Sequence, residues 1–182
     1  MENKLSILIK IGILEIILLA FMGNYQPSSV QFMGSHAFKL GNRKIVIKAP
    51  DGMEIITQPE IIKSRLKTNE SLAFAIVGDS SHHSRFPIWA DYLQVGEYAD
   101  INKLATFLEK DSSAHLIQKN IQGDRLTMTL SFSNEGHDSL FYTLLRYDLC
   151  YPYYLRLRTA WYANPSVPDY LNQGLSSIEV SK

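Results

Sequence analysis

Along Arg125–Ser133 the even positions are Leu126, Met128, Leu130 and Phe132, and every odd position is Arg, Thr or Ser. A period of two predicts a strand with one buried face. Asn134-Glu135-Gly136-His137-Asp138 then supplies turn chemistry. Ser139–Cys150 carries apolar residues on both parities, Leu140, Tyr142 and Leu144 against Phe141, Leu145 and Leu149. That pattern predicts a strand covered on both faces. Tyr153–Tyr162 alternates again, with Tyr153, Leu155, Leu157 and Trp161 on one face and Tyr154, Arg156, Arg158 and Tyr162 on the other. An antiparallel meander follows, with Ser139–Cys150 in its middle.

Upstream, His36–Leu40 and Lys44–Lys48 flank Gly41-Asn42, a two-residue hairpin signal. Ile45 and Ile47 share one face. Pro50-Asp51-Gly52 breaks the second strand, and Met53–Ile56 resumes as a short one. Thr57-x-x-Glu60 is a capping box with Pro59 in the first turn, predicting a helix to about Lys67. Leu72–Val77 reads as an interior strand, Gly78–Pro87 as a polar loop and Ile88–Val95 as extended chain. Asp100 is placed to cap a helix with Ile101, Leu104, Ala105 and Leu108 on one face. His115–Gln122 is a further strand. Ser166-x-x-Asp169, with Pro168 in the first turn, predicts a final helix lined by Val167, Leu171, Leu175 and Ile178. The sum is an α+β fold: a mostly antiparallel sheet of about seven strands, with two or three helices packed on its faces.

The N-terminus has a different texture. Leu5–Met22 is apolar apart from Ser6, Lys10, Gly12 and Glu15, and it follows Lys4. A basic start before such a run resembles a secretory signal. As a permanent span it is poor, because Lys10 and Glu15 are both costly in hydrocarbon. The expected organisation is a signal-like segment over residues 1–23, cleaved or retained, a linker over 24–35 and one domain over 36–182. Membrane contact is expected only through the first segment. The domain itself is expected to work exported, periplasmic or secreted.

Charge and cysteine content narrow the chemistry. Lys plus Arg and Asp plus Glu both total 18, so no global field favours nucleic acid. One cysteine, Cys150, excludes an internal disulfide and any zinc site built on several cysteines. Its place at the end of a buried strand predicts a small core residue.

The order hairpin, helix, strands, helix, meander and final helix resembles the PsbP/DcrB-like superfamily of α/β/α sandwiches. Ile45-Val46-Ile47-Lys48-Ala49-Pro50-Asp51-Gly52-Met53 is similar to the strand and Pro-x-Gly-Trp element that often opens that fold, with Met53 at the tryptophan position. Tyr154-Leu155-Arg156-Leu157 and the closing Leu175-Ser176-Ser177-Ile178 resemble its end. The resemblance implies a fold used for binding and assembly, often in exported proteins, and brings no catalytic residues and no cofactor.

Two constellations carry candidate chemistry. His82-His83 with Asp79, joined by Glu135, His137 and Asp138, has the residue types of a metal site, which would make the chain a small metal-dependent hydrolase. Solvated turns are the competing explanation. Neither a Gly-x-Ser-x-Gly elbow nor a phosphate-cradling glycine loop is present. The second constellation is Tyr154, Arg156, Arg158 and Tyr162. Arg and Tyr anchor interfaces through planar hydrogen bonding and large rigid rings. If that face is open it is the expected partner-binding site; if a helix covers it, the arginines pair with carboxylates. The leading expectation is a non-enzymatic exported binding protein for a protein partner in the cell envelope, such as an immunity or accessory factor.

Overall fold

Strands and helices form where the two periodicities place them, and the last four residues of regular structure, Ile178–Ser181, depart from the pattern. The computed structural model describes residues 35–66, 68, 72–78, 87–96, 98–111, 114–133, 140–162 and 165–182. In chain order these give β1 (Ser35–Leu40), β2 (Arg43–Lys48), β3 (Met53–Ile56), α1 (Pro59–Leu66), β4 (Phe74–Gly78), β5 (Ile88–Gln94), α2 (Ile101–Asp111), β6 (His115–Gln122), β7 (Arg125–Ser133), β8 (Leu140–Cys150), β9 (Tyr153–Tyr162), α3 (Asp169–Ser176) and β10 (Ile178–Ser181). Seven strands form one antiparallel sheet in the order β3-β4-β5-β9-β8-β7-β6. Strands β1-β2-β10 form a second, smaller sheet. The chain is α+β as expected, and β8 lies between β7 and β9. Among the described residues no helix is long and apolar enough to cross a membrane.

Successive side chains alternate across a strand, so β9 separates two cores. Leu155, Leu157 and Trp161 face a core completed by Ile45 and Ile47 of β2, Leu171 and Leu175 of α3, and Ile178 of β10. The opposite face carries two helices. Helix α2 sets Ile101, Leu104, Ala105 and Leu108 on Leu126, Met128, Leu130 and Tyr154. Asp100 caps it as its position predicts, accepting the Asn102 N–H at 2.7 Å. That bond holds the Asp100 carboxyl below its usual range. Helix α1 sets Ile62 and Leu66 on Ala75, Val77, Trp89 and Ala160.

Three boundaries differ from the expected ones. Helix α1 starts one residue beyond a Thr57 cap, with Gln58 O accepting the Ile62 N–H at 3.0 Å. Helix α3 has no side-chain cap; Pro168, with φ −57° and ψ 143°, stands at the N-cap in place of Ser166. Ile178 belongs to β10 and not to the helix. Ser177 closes α3 on Gln173 O, and its own carbonyl accepts the Lys48 N–H at 3.0 Å. The chain thereby moves from helix to the open edge of β2, where Ile178 pairs with Ile47 and Val180 with Ile45.

A buried arginine fastens this closing segment to the main sheet. Arg146 donates from Nε to Asp148 at 2.8 Å, from Nη1 to Leu175 O at 2.7 Å and from Nη2 to Ile178 O at 3.1 Å. Asp148 also accepts Arg125 Nε at 2.6 Å. One planar guanidinium thus satisfies carbonyls left open where α3 ends. Burial pushes Arg146 below its ordinary range, and Asp148 opposes the shift.

Gly41 fixes where the hairpin of the small sheet sits. At φ 54° a side chain is strained, and a Cβ would meet Cys150 O at 2.1 Å and Tyr151 O at 2.3 Å. The Asn42 N–H donates to Tyr151 O at 3.1 Å. The β1–β2 turn is therefore pressed against the β8–β9 turn.

Cys150 is fully buried beside that contact, the core residue its sequence position predicts. Burial, with Asp148 adding to it, pushes its thiol from 9.0 up to about 11. The unfolded thiol releases its proton first, so stability is intact below pH 9 and falls as pH rises toward 11. Tyr92 and Tyr154 add to the fall only above 10, as each is raised to about 12. Cys150→Ala is expected to flatten the dependence of unfolding free energy on pH between 9 and 10, read by urea denaturation. An unchanged slope would show that the thiol is not held protonated by the fold.

Candidate interaction surface

The outer face of β9 is not open. Tyr154 is 1% exposed, covered by α2, and its hydroxyl donates to Tyr98 O at 2.6 Å. Arg156 forks onto Asp91 of β5, with Nε to Oδ1 at 2.8 Å and Nη2 on Oδ2. Arg158 Nη2 stands 3.5 Å from the same carboxylate, and its guanidinium carbon lies 5.5 Å from the centre of the Trp89 ring. Tyr162 packs on Phe141 at 4.9 Å and is only partly buried. Helices α1 and α2 cover the two ends of this face. The strip between them is filled by Asp91, Arg156, Arg158 and Tyr147.

The expectation of an exposed Tyr154–Arg156–Arg158 platform is therefore corrected. Its residues lie on one face, as the alternation requires, but helix α2 covers Tyr154, and Arg156 and Arg158 are turned onto Asp91 in the strip between the helices. Burial also holds the Tyr147 hydroxyl above its ordinary range, partly offset by Arg156. Arg65 of α1 makes a second link on this side of the sheet, donating to Glu54 of β3 at 2.8 Å. Asp91 ties β5 to β9, and the Arg65–Glu54 pair holds α1 to the sheet.

The other constellation, Asp79, His82 and His83 with Glu135, His137 and Asp138, lies outside the described residues. Among the described residues no group of three or more His, Cys, Asp or Glu side chains could hold a metal ion.

A different surface is accessible, around the small sheet. Tyr92 of β5 is 42% exposed and Tyr151 in the β8–β9 turn is 60% exposed. The Phe38 ring of β1 lies 6.2 Å from that of Tyr92 and 5.8 Å from that of His36, and it rests on the buried Phe74 ring at 6.0 Å, so Phe38 and Tyr92 form an apolar rim. The outward side of the same sheet is basic. Lys39 of β1 is directly opposite Lys44 of β2, and both are exposed. Lys48 is neutralised by Glu179 at 3.1 Å and Arg43 by Asp124. Lys39, Lys44 and Lys182 have no ion pair among the described residues. They border a shallow hollow of about 470 Å³ that also touches Phe38 and Arg43.

Sequence reasoning passed over this surface. Its signal was nonetheless present: a two-residue turn at Gly41-Asn42 forces Lys39 to pair with Lys44. Like charges directly opposite destabilise a hairpin, so stability alone does not account for this pair.

No family model matches the chain, and no curated protein matches it. Among solved structures it is similar to a mutant of the protein Mog1, with a TM-score of 0.50 and 12% identity over 82% of this chain and 97% of that one. A second similar structure is the Saccharomyces cerevisiae Ran-binding protein Mog1p, with a TM-score of 0.43 and 11% identity over 81% and 96% of the two chains. At such identity the first likeness concerns the fold, and the second adds nothing to it.

Proposed function

We propose that this chain is a non-enzymatic protein-binding domain that receives a protein partner on the surface formed by β1, β5 and the β8–β9 turn. The observation that carries the proposal is the exposure of Tyr92 beside Phe38 and of Tyr151 beside the β1–β2 turn, edged by lysines that have no ion pair among the described residues. Exposed rings held by a sheet and a tight turn lose little conformational freedom on binding, which makes tyrosine a frequent anchor. Lysines at the rim steer an oppositely charged partner into register.

The finer proposal is that the domain works after export, in the cell envelope, as an immunity or accessory factor within the PsbP/DcrB-like superfamily. Its support lies in the sequence: the apolar run Leu5–Met22 behind Lys4, and the residues that resemble the superfamily.

Capture from the native host with the full-length chain tests the main claim. The captured protein is expected to be lost when Tyr92→Ser and Tyr151→Ser are combined. Recovery of the same protein in equal yield by the double variant would reject this surface.

A further inference from the structure

We infer that β1 accepts an extended segment of the partner as an additional strand, and that this segment alternates acidic and apolar side chains. The inference rests on the protein-binding reading above and names the partner's chemistry.

The free edge can be assigned from the hydrogen bonds. Lys48 donates its N–H to Ser177 O, and Ser181 Oγ lies 3.5 Å from Lys44 O. The main-chain groups of Lys44 and Lys48 therefore point toward β10. Neighbouring residues in a strand point their groups in opposite directions, so those of Arg43, Ile45 and Ile47 point toward β1. Their partners there are Leu40, Phe38 and His36. The intervening residues, Ala37 and Lys39, turn their N–H and C=O groups away from β2. Strand β1 is the last in its sheet and pairs with no second strand among the described residues. An edge with outward main-chain groups is a template for a further strand.

The side chains on either side of that edge define what fits. On the solvent side an added strand meets Lys39, with Lys44 one strand further in and Lys182 beyond it. On the inner side it meets Phe38 and Tyr92, an apolar rim that the small sheet leaves partly uncovered. A strand shows its residues to alternate sides. The segment that satisfies both sides therefore carries Asp or Glu at every second position and apolar residues between. β1 has six residues, which limits the added strand to a similar length.

A lysine on an edge strand can also act as a guard against unwanted pairing. A guard needs a charge on β1 alone. It accounts neither for Lys44 directly opposite on the central strand nor for an apolar rim left beside the open edge.

The test uses the full-length chain and a synthetic hexapeptide of alternating Glu and Val, with a peptide of equal composition in block order as the control. Binding is read by fluorescence anisotropy, and amide hydrogen exchange reports on Ala37 and Lys39. The alternating peptide is expected to bind at least tenfold more tightly than the block peptide and to slow exchange at both amides. Lys39→Glu with Lys44→Glu is expected to weaken it at least tenfold. Ala37→Pro is expected to abolish binding with little effect on melting, because it removes an edge donor that β2 does not use. Equal affinity for both peptides, or for vesicles of anionic lipid, would overturn strand addition in favour of unspecific charge attraction. Unchanged binding by the Ala37→Pro variant, shown folded by circular dichroism, would overturn it as well. If no peptide binds while the native partner is still captured through Tyr92 and Tyr151, the strand-addition inference fails and the protein-binding reading stands.

Discussion

Asp91→Ala is expected to lower the unfolding free energy by about 3–5 kcal/mol, the range for breaking a buried charge pair from one side. Asp91 is 10% exposed at its side chain and faces Arg156 at 12% and Arg158 at 6%. Removing the carboxylate takes from both guanidiniums the anion that they share, between two helices where water has little access. An exposed pair of the same residues would contribute about 0–1 kcal/mol. The cost is expected to come from the loss of the shared anion and not from lost volume. A triple variant, Asp91→Leu with Arg156→Met and Arg158→Met, should therefore return close to the parental stability. Urea denaturation of both variants checks this. A loss below about 0.5 kcal/mol for Asp91→Ala would show that the strip between α1 and α2 is hydrated.

Arg146→Ala is expected to have a comparable effect, about 3–5 kcal/mol, by a different route. It removes the donors to Leu175 O and Ile178 O, and it leaves Asp148 with Arg125 alone. The end of α3 and the start of β10 lose their link to the main sheet together. Arg146→Lys should recover little, because a single ammonium cannot reach two carbonyls and a carboxylate in fixed directions. Thermal unfolding of the two variants is the check. A lysine variant as stable as the parent would mean that charge alone suffices there.

How far the fold was legible follows from these residues. The meander could be read because Leu126, Met128, Leu130 and Phe132 repeat with the period of a strand, and α2 because Ile101, Leu104, Ala105 and Leu108 repeat with that of a helix. Both signals are local. Whether the second face of β9 is covered is not a local property. Tyr154, Arg156, Arg158 and Tyr162 read the same on an open strand as on one roofed by helices. The decisive residue, Asp91, is in register with Arg156 but 65 positions away in the chain. A trace of it was present: one carboxylate directly after Ile88, Trp89 and Ala90 in an apolar strand requires a cation nearby. Strand β10 was missed because four residues after a helix carry too short an alternation to separate them from a continued turn. Lys39 against Lys44 could be derived from the hairpin register. The exposure of that sheet, and its closeness to Tyr92 and Tyr151, required the fold.

The most direct measurement is the affinity of the captured partner for the parent chain and for the Tyr92→Ser, Tyr151→Ser variant, with melting recorded on the same samples. Loss of two exposed anchors is expected to weaken binding by at least about 2 kcal/mol, roughly thirtyfold, with the melting temperature nearly unchanged. Equal affinities, or a loss of binding that only accompanies a loss of stability, would contradict the assignment of this surface.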